Sequence, residues 1–273
     1  MSAVMPLPVG RQSRRLATML RWAAEKLGYP VLGLGLLLFF WWVGGYLIAS
    51  NPATQAFSGF GPGHALPRAW ELVTSGTLAE DIAPSLKRIG QGLFYAAIAG
   101  VPIGVLVGWV PIALKITNFP FQLLRMVSPL AWMPVAVLAF DTWDGSIVFL
   151  IFMASIWPIL FSTAFAVQRI DPMFFKVANN FGASVPARLR RLVLPAIAPD
   201  ILAGFRLALG IAWVVLVPAE FLGVSSGLGY AINDARDILA YDLLAALVLV
   251  IGVIGYILDS AVVSLMRYFG WQS

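Results

Sequence analysis

The sequence lacks cysteine altogether and contains one histidine among its 273 residues. Disulfide bonds, thiolate metal sites, covalent haem attachment and a cysteine nucleophile are therefore excluded, together with most catalysis by histidine. A glycine-rich phosphate loop of the form G-x4-G-K-S/T is also missing, so the chain has no recognisable loop for binding nucleotide phosphates. We expect a protein that is not an enzyme and that holds no metal or cofactor of its own.

Charged residues are scarce as well. They make up 11% of the chain, hydrophobic residues make up 60%, and the mean hydropathy is +0.87. Soluble domains contain about 25% charged residues, so this composition indicates an integral membrane protein. The net charge of +5 would suggest a nucleic-acid partner for a soluble protein. Here the basic residues concentrate in the N-terminal arm and in loops, where they orient a membrane protein, and we expect no nucleic-acid partner.

Six apolar segments are long enough to cross a bilayer, which takes about 20 apolar residues in a helix. They are Val31–Ala49, Ser85–Val110, Phe119–Phe140, Ser146–Val167, Ala198–Leu222 and Leu243–Val263. We therefore predict an all-α membrane protein with about six transmembrane helices. If both termini are cytoplasmic, the basic arm, Lys115, segment 171–195 and Arg267 all lie on the cytoplasmic side, as the positive-inside rule requires. Lys87 and Arg88 lie at the outer end of the second span and count against this orientation.

The predicted division of the chain has five parts. These are a basic cytoplasmic arm (1–30), a first transmembrane helix (31–50), an external loop with a short interfacial helix (51–80), a five-helix core (81–265) and a cytoplasmic tail (266–273). Pro67–Thr74 is predicted to form the interfacial amphipathic helix, and His64 to be a solvated loop residue. Pro111–Thr117 is predicted to be a short cytoplasmic turn, and Gly223–Asp237 an external turn region.

Small residues follow one face of the second span. Gly100, Gly104 and Gly108 are four residues apart, a spacing that lets transmembrane helices approach each other closely. Helix packing is one interpretation of this stripe, and room for a substrate path is the other.

The third span contains two prolines and an arginine. Pro129 and Pro134 should kink the helix and free backbone carbonyls. Arg125 is an ionisable group at membrane depth, which is unfavourable unless the group is paired or hydrated. The stretch is therefore interpreted as a pore-lining break with Arg125 and Ser128 facing inward. The alternative is that Arg125 extends to the cytoplasmic interface and that the prolines only shape the helix.

Several polar and aromatic residues are candidates for lining a substrate path. They are Arg125, Ser128, Trp132, Trp157, Ser162 and Glu220. The guanidinium, the hydroxyls and the indole N–H groups could donate hydrogen bonds to an anion. Structural alternatives remain, because Ser162 could satisfy carbonyls freed by Pro158, and Glu220 could form an outer gate or an interhelical hydrogen bond.

The longest polar interruption between apolar segments is Asp171–Arg206. It opens with Asp171 in the position of a helix N-cap, followed directly by proline, and Gly182 then breaks this helix. A second basic helical run, Pro186–Leu194, is predicted to end at Pro195. Three arginines within four residues of this run place the segment on the cytoplasmic side. A compact helix–turn–helix between two spans is a candidate for transmitting force from outside the bilayer.

This segment resembles the cytoplasmic loop of permease subunits of ATP-binding-cassette (ABC) importers, which has the form E-A-A-x3-G-x9-I-x-L-P. Lys176-Val177-Ala178 lies at the E-A-A position, with Lys176 in place of the glutamate. Gly182 follows at the distance of the motif glycine, and residues 192–195, L-V-L-P, lie at the I-x-L-P position.

Other stretches are similar to the nitrate/bicarbonate/taurine/sulfonate branch of these permeases. They are S-P-L-A-W at 128–132, S-I-W-P at 155–158, G-F-R-L-A-L-G-I-A-W at 204–213, A-E-F-L-G at 219–223 and G-L-G-Y at 227–230. The resemblance covers about residues 65–265.

The resemblance implies a type I ABC importer permease fold in a bacterial inner membrane. Two copies of the chain would form the path, two ATPase subunits carrying ATP and Mg would dock on loop 171–195, and a periplasmic or lipid-tethered binding protein would deliver the solute. The solute would be a small anion, a nitrate-type oxyanion first, and taurine, alkyl sulfonate or bicarbonate next. The residues that the resemblance places in ATPase coupling are Lys176, Ala178, Asn179, Gly182, Ala183, Ser184, Arg188 and Pro195.

Two other functions compete with transport. A structural or assembly membrane subunit that moves no solute is favoured by the scarcity of ionisable groups in the spans. An intramembrane enzyme would need paired carboxylates or histidine at matching depths, and Glu220, Asp242 and Asp259 are widely scattered.

Overall fold

A computed structural model describes residues 28–221 and 223–268. Within these residues the chain is helical and contains no strand. The helices are α1 (Tyr29–Ser50), α2 (Pro62–Ser75), α3 (Leu78–Trp109), α4 (Pro111–Met126), α5 (Met133–Ala139), α6 (Trp143–Gln168), α7 (Pro172–Asn180), α8 (Val185–Glu220), α9 (Leu228–Asp237) and α10 (Tyr241–Tyr268). Short 3-10 turns occur at Gln55–Phe60 and Pro129–Trp132. Nearly all of the predicted basic arm and the end of the tail lie outside the described residues.

Five helices are long and apolar enough to cross a membrane, namely α1, α3, α6, α8 and α10, and the bent pair α4–α5 makes a possible sixth span. The prediction of an all-helical membrane protein with about six spans is therefore confirmed. The third span differs from the prediction, because two helices meeting at 90° replace one kinked helix. Val127 and Ser128 adopt extended backbone conformations before Pro129, as the residue preceding a proline tends to do.

Three local predictions about loops are wrong. Pro111–Thr117 is not a turn, since α4 begins at Pro111 and only Val110 separates it from α3; proline is favourable in this first helical position. Gly223–Asp237 contains α9 from Leu228 onward. His64 lies in α2 rather than in a loop, although its side chain is exposed. The helix predicted at Pro67–Thr74 is present as part of the longer α2, and its interfacial position stays a prediction.

Helix α6 is the centre of the bundle, because α3 and α8 pack on it. A Cβ added to Gly104 of α3 would lie 2.6 Å from the carbonyl oxygen of Leu160, and one added to Gly204 of α8 would lie 2.7 Å from the Cβ of Ser162. Both glycines therefore allow the backbones to approach more closely than any other residue would. Of the two interpretations of the glycine stripe in α3, helix packing is confirmed.

Helix α8 is continuous from the polar segment into its span, so the predicted end at Pro195 is wrong. Leu189–Val193 forms a π-helical turn, after which the α-helix resumes at Leu194. The change of hydrogen-bond register places Pro195 in the first turn of the resumed helix, where a missing N–H is tolerated.

Candidate functional site

The polar segment between α6 and α8 forms a compact elbow, defined here as residues 171–195. The side chain of Asp171 accepts a hydrogen bond from the Met173 N–H at 2.8 Å, which caps the start of α7. At the other end of α7, Gly182 has φ +67° and its N–H donates to the Asn179 carbonyl at 2.9 Å, while the Ala183 N–H donates to the Ala178 carbonyl at 2.9 Å. This pair of bonds is the Schellman arrangement that glycine permits at a helix C-terminus. The predicted cap and the predicted break are both confirmed.

A side-chain hydrogen bond joins the two arms of the elbow. The Arg188 guanidinium donates to Asn179 Oδ1 at 2.6 Å, so α7 and the start of α8 are tied together across the turn. Among the residues predicted to couple to an ATPase, Ala178, Asn179, Gly182, Ala183 and Arg188 thus meet in one turn. The other three predicted coupling residues are placed differently: Lys176 is exposed on α7, Ser184 precedes α8 without a side-chain cap, and Pro195 lies at the base.

Large apolar side chains are exposed on this elbow. Phe181 is 86% exposed at the tip, and Met173, Phe174, Val177 and Val185 are also exposed. Basic side chains surround them, since Lys176, Arg190 and Arg191 are exposed. An apolar patch rimmed by charge, at an end of the bundle, is typical of a surface that contacts another protein or the membrane.

The base of the elbow is packed firmly on the bundle. Phe175 of α7 contacts Trp109 at the end of α3, with ring centroids 5.8 Å apart, and Val193 is buried with Val167 of α6 in the same cluster. An ion pair between Arg169 and Asp200 adds a polar link at this base. The elbow is therefore in direct contact with α3, α6 and α8.

Predicted path residues meet in a groove between α4, α6 and α8. The groove encloses about 370 Å³, and Arg125, Trp157 and Ser162 line it together with Pro129 and apolar side chains. The Arg125 guanidinium lies 5.1 Å from the centre of the Phe161 ring, a favourable position for a cation. Ser128 is exposed at the adjacent bend, and Trp132 packs against the main core cluster.

Among the described residues, Arg125 differs from Arg88 and Arg206 in having no acidic partner. Arg206 forms two bonds to the Asp259 carboxylate, at 2.6 and 2.7 Å, and Arg88 is paired as described next. Within residues 28–221 and 223–268, no carboxylate lies within ion-pair distance of Arg125. Its positive charge is thus available to an anion in the groove.

Glu220 does not line this groove, because it belongs to a buried network at the end of the bundle opposite the elbow. Its carboxylate is 0% exposed and accepts hydrogen bonds from Arg88 Nη1 at 2.6 Å, from Ser85 Oγ at 2.8 Å and from the Gly229 N–H at 2.8 Å. Arg88 Nε also donates to Asp144 Oδ1 at 2.7 Å. Of the two alternatives for Glu220, the interhelical hydrogen bond is present.

This network also explains a conflict in the sequence. Arg88 had counted against the predicted orientation, but its side chain is 5% exposed and its charge is neutralised by Glu220 and Asp144. Arg88 and Glu220 are 132 residues apart, so no local sequence signal could pair them. In the described part of the chain, no cluster of three or more His, Asp or Glu side chains is placed to hold a metal ion.

A helical bundle with five or six membrane-length helices and an exposed elbow between two of them defines an integral membrane protein with several spans. The model of the family described as "binding-protein-dependent transport system inner membrane component" matches residues 100–270. The chain belongs to this family, and it is an integral protein of the inner membrane.

Relatives with named solutes lie on one branch of the family. The chain is 33% identical over 210 residues to the nitrate import permease protein NrtB of Leptolyngbya laminosa, covering 74% of this chain and 75% of that protein. It is 38% identical over 187 residues to the bicarbonate transport system permease protein CmpB of Synechococcus elongatus, covering 67% and 66%. It is 34% identical over 191 residues to the taurine transport system permease protein TauC of Escherichia coli, covering 70% of each. The predicted branch of ABC importer permeases is thereby confirmed.

Proposed function

We propose that two copies of this chain form the path by which a small anion enters the cell, driven by two ATPase subunits that dock on the elbow. A solute-binding protein delivers the anion on the other side of the membrane, and both termini of the chain are cytoplasmic. ATP and Mg are bound by the ATPase subunits, since this chain has no phosphate loop.

The elbow supports the docking part of this proposal. Its tip is exposed and apolar around Phe181, its two arms are tied by Arg188 and Asn179, and its base is packed on three long helices. Such an element can be displaced as a unit, because its internal hydrogen bonds and its buried base resist local deformation. ATP-driven closure of the ATPase pair would then tilt the bundle between inward- and outward-facing arrangements.

The groove beside Arg125 is the reason for proposing that the solute is an anion. An arginine without an acidic partner at membrane depth is unfavourable unless it is hydrated or binds a ligand, and guanidinium groups bind oxyanions through two parallel hydrogen bonds. Ser162 and Trp157 line the same groove and add a hydroxyl and an indole N–H within the same space.

A nitrate-type oxyanion is the first candidate solute, because of the relatives named above. One observation favours a second candidate, an organic sulfonate such as taurine or an alkyl sulfonate. Apart from Arg125 and Ser162, the residues that line the groove are apolar or aromatic, with Phe161, Phe165 and Leu207 among them. Apolar walls suit a solute with a carbon chain behind its anionic group. Bicarbonate belongs to the same test panel.

The test is to measure uptake and solute-stimulated ATP hydrolysis with Arg125→Ala, using Arg125→Lys as the matched variant that keeps the charge. Losing a hydrogen bond to a charged group removes about 1.5–3 kcal/mol, which corresponds to an increase of about 10- to 100-fold in the KM for uptake. The lysine variant should retain part of the affinity. Wild-type KM and rate in Arg125→Ala would remove Arg125 from the path.

A further inference from the structure

We infer that Glu220 is a positioning residue for transport: its buried pair with Arg88 locks the far ends of α3, α8 and α9 together, so that a push on the elbow reaches the Arg125 groove. This inference rests on the proposed function, because it concerns how a displacement of the elbow is used.

The network joins four elements at the end of the bundle that lies opposite the elbow. Ser85 and Arg88 belong to α3, Asp144 to α6 and Glu220 to α8. The fourth element is the start of α9, whose Gly229 N–H donates to Glu220. The Glu220 carboxylate belongs to α8 and accepts hydrogen bonds from α3 and α9. Helix α6 is reached only through the exposed Asp144.

The turn between α8 and α9 closes over the ion pair. Gly227 has φ +120°, and a Cβ at this position would lie 2.6 Å from both Arg88 Nη1 and Glu220 Oε1. The Leu228 N–H donates to Ser85 Oγ at 2.9 Å, and the Ser226 carbonyl accepts from Arg88 Nη1 at 2.8 Å. The ion pair holds the turn through the Ser226 carbonyl and the Gly229 N–H, while Ser85 and Asp81 of α3 hold it through the N–H groups of Leu228 and Gly227.

The same helices are held together along their length and at the elbow. Gly104 and Gly204 allow α3 and α8 to pack closely on α6, and the elbow connects α6 directly to α8. Helices α3, α6 and α8 with the start of α9 therefore form one unit, with the elbow at one end and the Glu220 network at the other.

The Arg125 groove lies at the boundary of this unit. Arg125 and Pro129 come from the bent pair α4–α5, whereas Trp157, Phe161 and Leu207 come from α6 and α8. A tilt of the unit relative to α4–α5 changes the distance between the arginine and the apolar wall. If the far ends were free to separate, part of the elbow's displacement would be lost before it reached the groove.

The experiment compares Glu220→Gln with Asp144→Asn, which removes the exposed carboxylate of the same network. Asp144 is 66% exposed, so its loss leaves the buried part of the network intact. We expect Glu220→Gln to bind the ATPase subunits but to move about five- to hundredfold less solute per ATP, the usual range of a coupling energy. We expect Asp144→Asn to keep the wild-type ratio.

A third variant separates positioning from stability. The double change Arg88→Met with Glu220→Leu leaves no unpaired buried charge and should restore the stability that a single change loses. It cannot restore the bonds that Ser85 and the Gly229 N–H donate to Glu220, or the bond that Arg88 donates to the Ser226 carbonyl. A low ratio of solute to ATP in this stable variant is expected, and a wild-type ratio would overturn the inference.

A distance measurement tests whether Glu220 holds α3 and α9 together, without any transport assay. Because the chain has no native cysteine, spin labels can be attached at Glu80→Cys on α3 and Asp234→Cys on α9, which are both exposed. The distance distribution should be narrow with Glu220 present and broad in Glu220→Gln, and equal widths would overturn the inference. If the wild-type complex shows no solute-stimulated ATP hydrolysis, the proposed function fails, whereas the label distances still test the lock.

Discussion

At the residue scale, two arginines in the spans illustrate how the same side chain serves opposite purposes. Arg88 is buried and pairs with Glu220 and Asp144, whereas Arg125 lies over Phe161 in an open groove and has no acidic partner among the residues that the structure describes. For Arg88, ion pairing offsets the unfavourable transfer of a guanidinium into a membrane. For Arg125, no such ion pair is formed within the described residues, and its guanidinium is the group that we propose binds an anion.

A substitution at Gly182 tests whether ATPase binding depends on the geometry of the turn in the elbow. Its φ of +67° is strained for a β-branched residue, although a Cβ there would meet nothing within 4 Å. Gly182→Val should therefore destabilise the turn by about 1–2 kcal/mol and weaken the binding of the ATPase subunit, with membrane insertion unchanged. Co-purification of the ATPase subunit with the permease measures this.

Gly182→Asn is the matched control for that change. Asparagine adopts the left-handed conformation more readily than other residues with a Cβ, and the space around this position is open. It should retain most of the ATPase binding. Normal capture of the ATPase subunit by Gly182→Val would show that the geometry of this turn is not needed for docking.

At the scale of elements, the elbow is an extension of two spans rather than a separate loop. Its second arm continues through the π-helical turn Leu189–Val193 into the 36-residue helix α8. π-Helical turns often occur at functional sites, and this one lies where the exposed arm becomes a buried span. The continuity of α8 links the elbow to Glu220 at the other end of the helix.

The exposed apolar face of the elbow should contribute directly to ATPase docking. Burying a phenylalanine side chain contributes about 1.5–3 kcal/mol, so Phe181→Ser should weaken the binding of the ATPase subunit by about 10- to 100-fold. Binding of the purified ATPase subunit to permease in nanodiscs, followed by a surface or fluorescence method, measures the change.

Trp70→Ser provides the comparison for this prediction. Trp70 is 71% exposed, but it lies on α2, away from the elbow, so its replacement should leave ATPase binding unchanged. Equal losses in the two variants would point to a general effect on folding. Equal retention would exclude the tip of the elbow from the interface.

At the scale of the whole molecule, the described chain has two chemically different ends. One carries the exposed elbow with its basic and apolar side chains, and the other carries the buried Glu220 network and α9. Clusters of arginine and lysine are retained on the cytoplasmic side of membrane proteins, so the elbow end is expected to face the cytoplasm.

The absence of cysteine makes this orientation directly testable. Single cysteines at Phe181→Cys, in the elbow, and at Asp234→Cys, on α9, should be labelled by an impermeant maleimide from opposite sides of the membrane. We expect Phe181→Cys to react only in inside-out vesicles and Asp234→Cys only in right-side-out ones. The reverse pattern would place the elbow outside the cell and would contradict ATPase docking on it.

The sequence by itself determined the class of protein, the approximate spans and the elbow, because these depend on local properties. Apolar runs of about 20 residues, the cap at Asp171 and the left-handed glycine at 182 act within a few residues of each other. Helix bounds near prolines were harder to predict, since the continuation of α8 past Pro195 depends on the π-helical turn before it, and the start of α4 depends on the extended Val110.

Only the tertiary structure decided which charges are paired. The partners of Arg88, Arg206 and Arg169 lie 132, 53 and 31 residues away, and such pairings depend on how the helices pack rather than on their order. The structure likewise brought Arg125, Trp157 and Ser162 into one groove and separated Glu220 from them. Whether a segment is apolar enough to cross a membrane follows from its own composition. The pairing of charges depends on three-dimensional distances between helices, which a linear sequence does not contain.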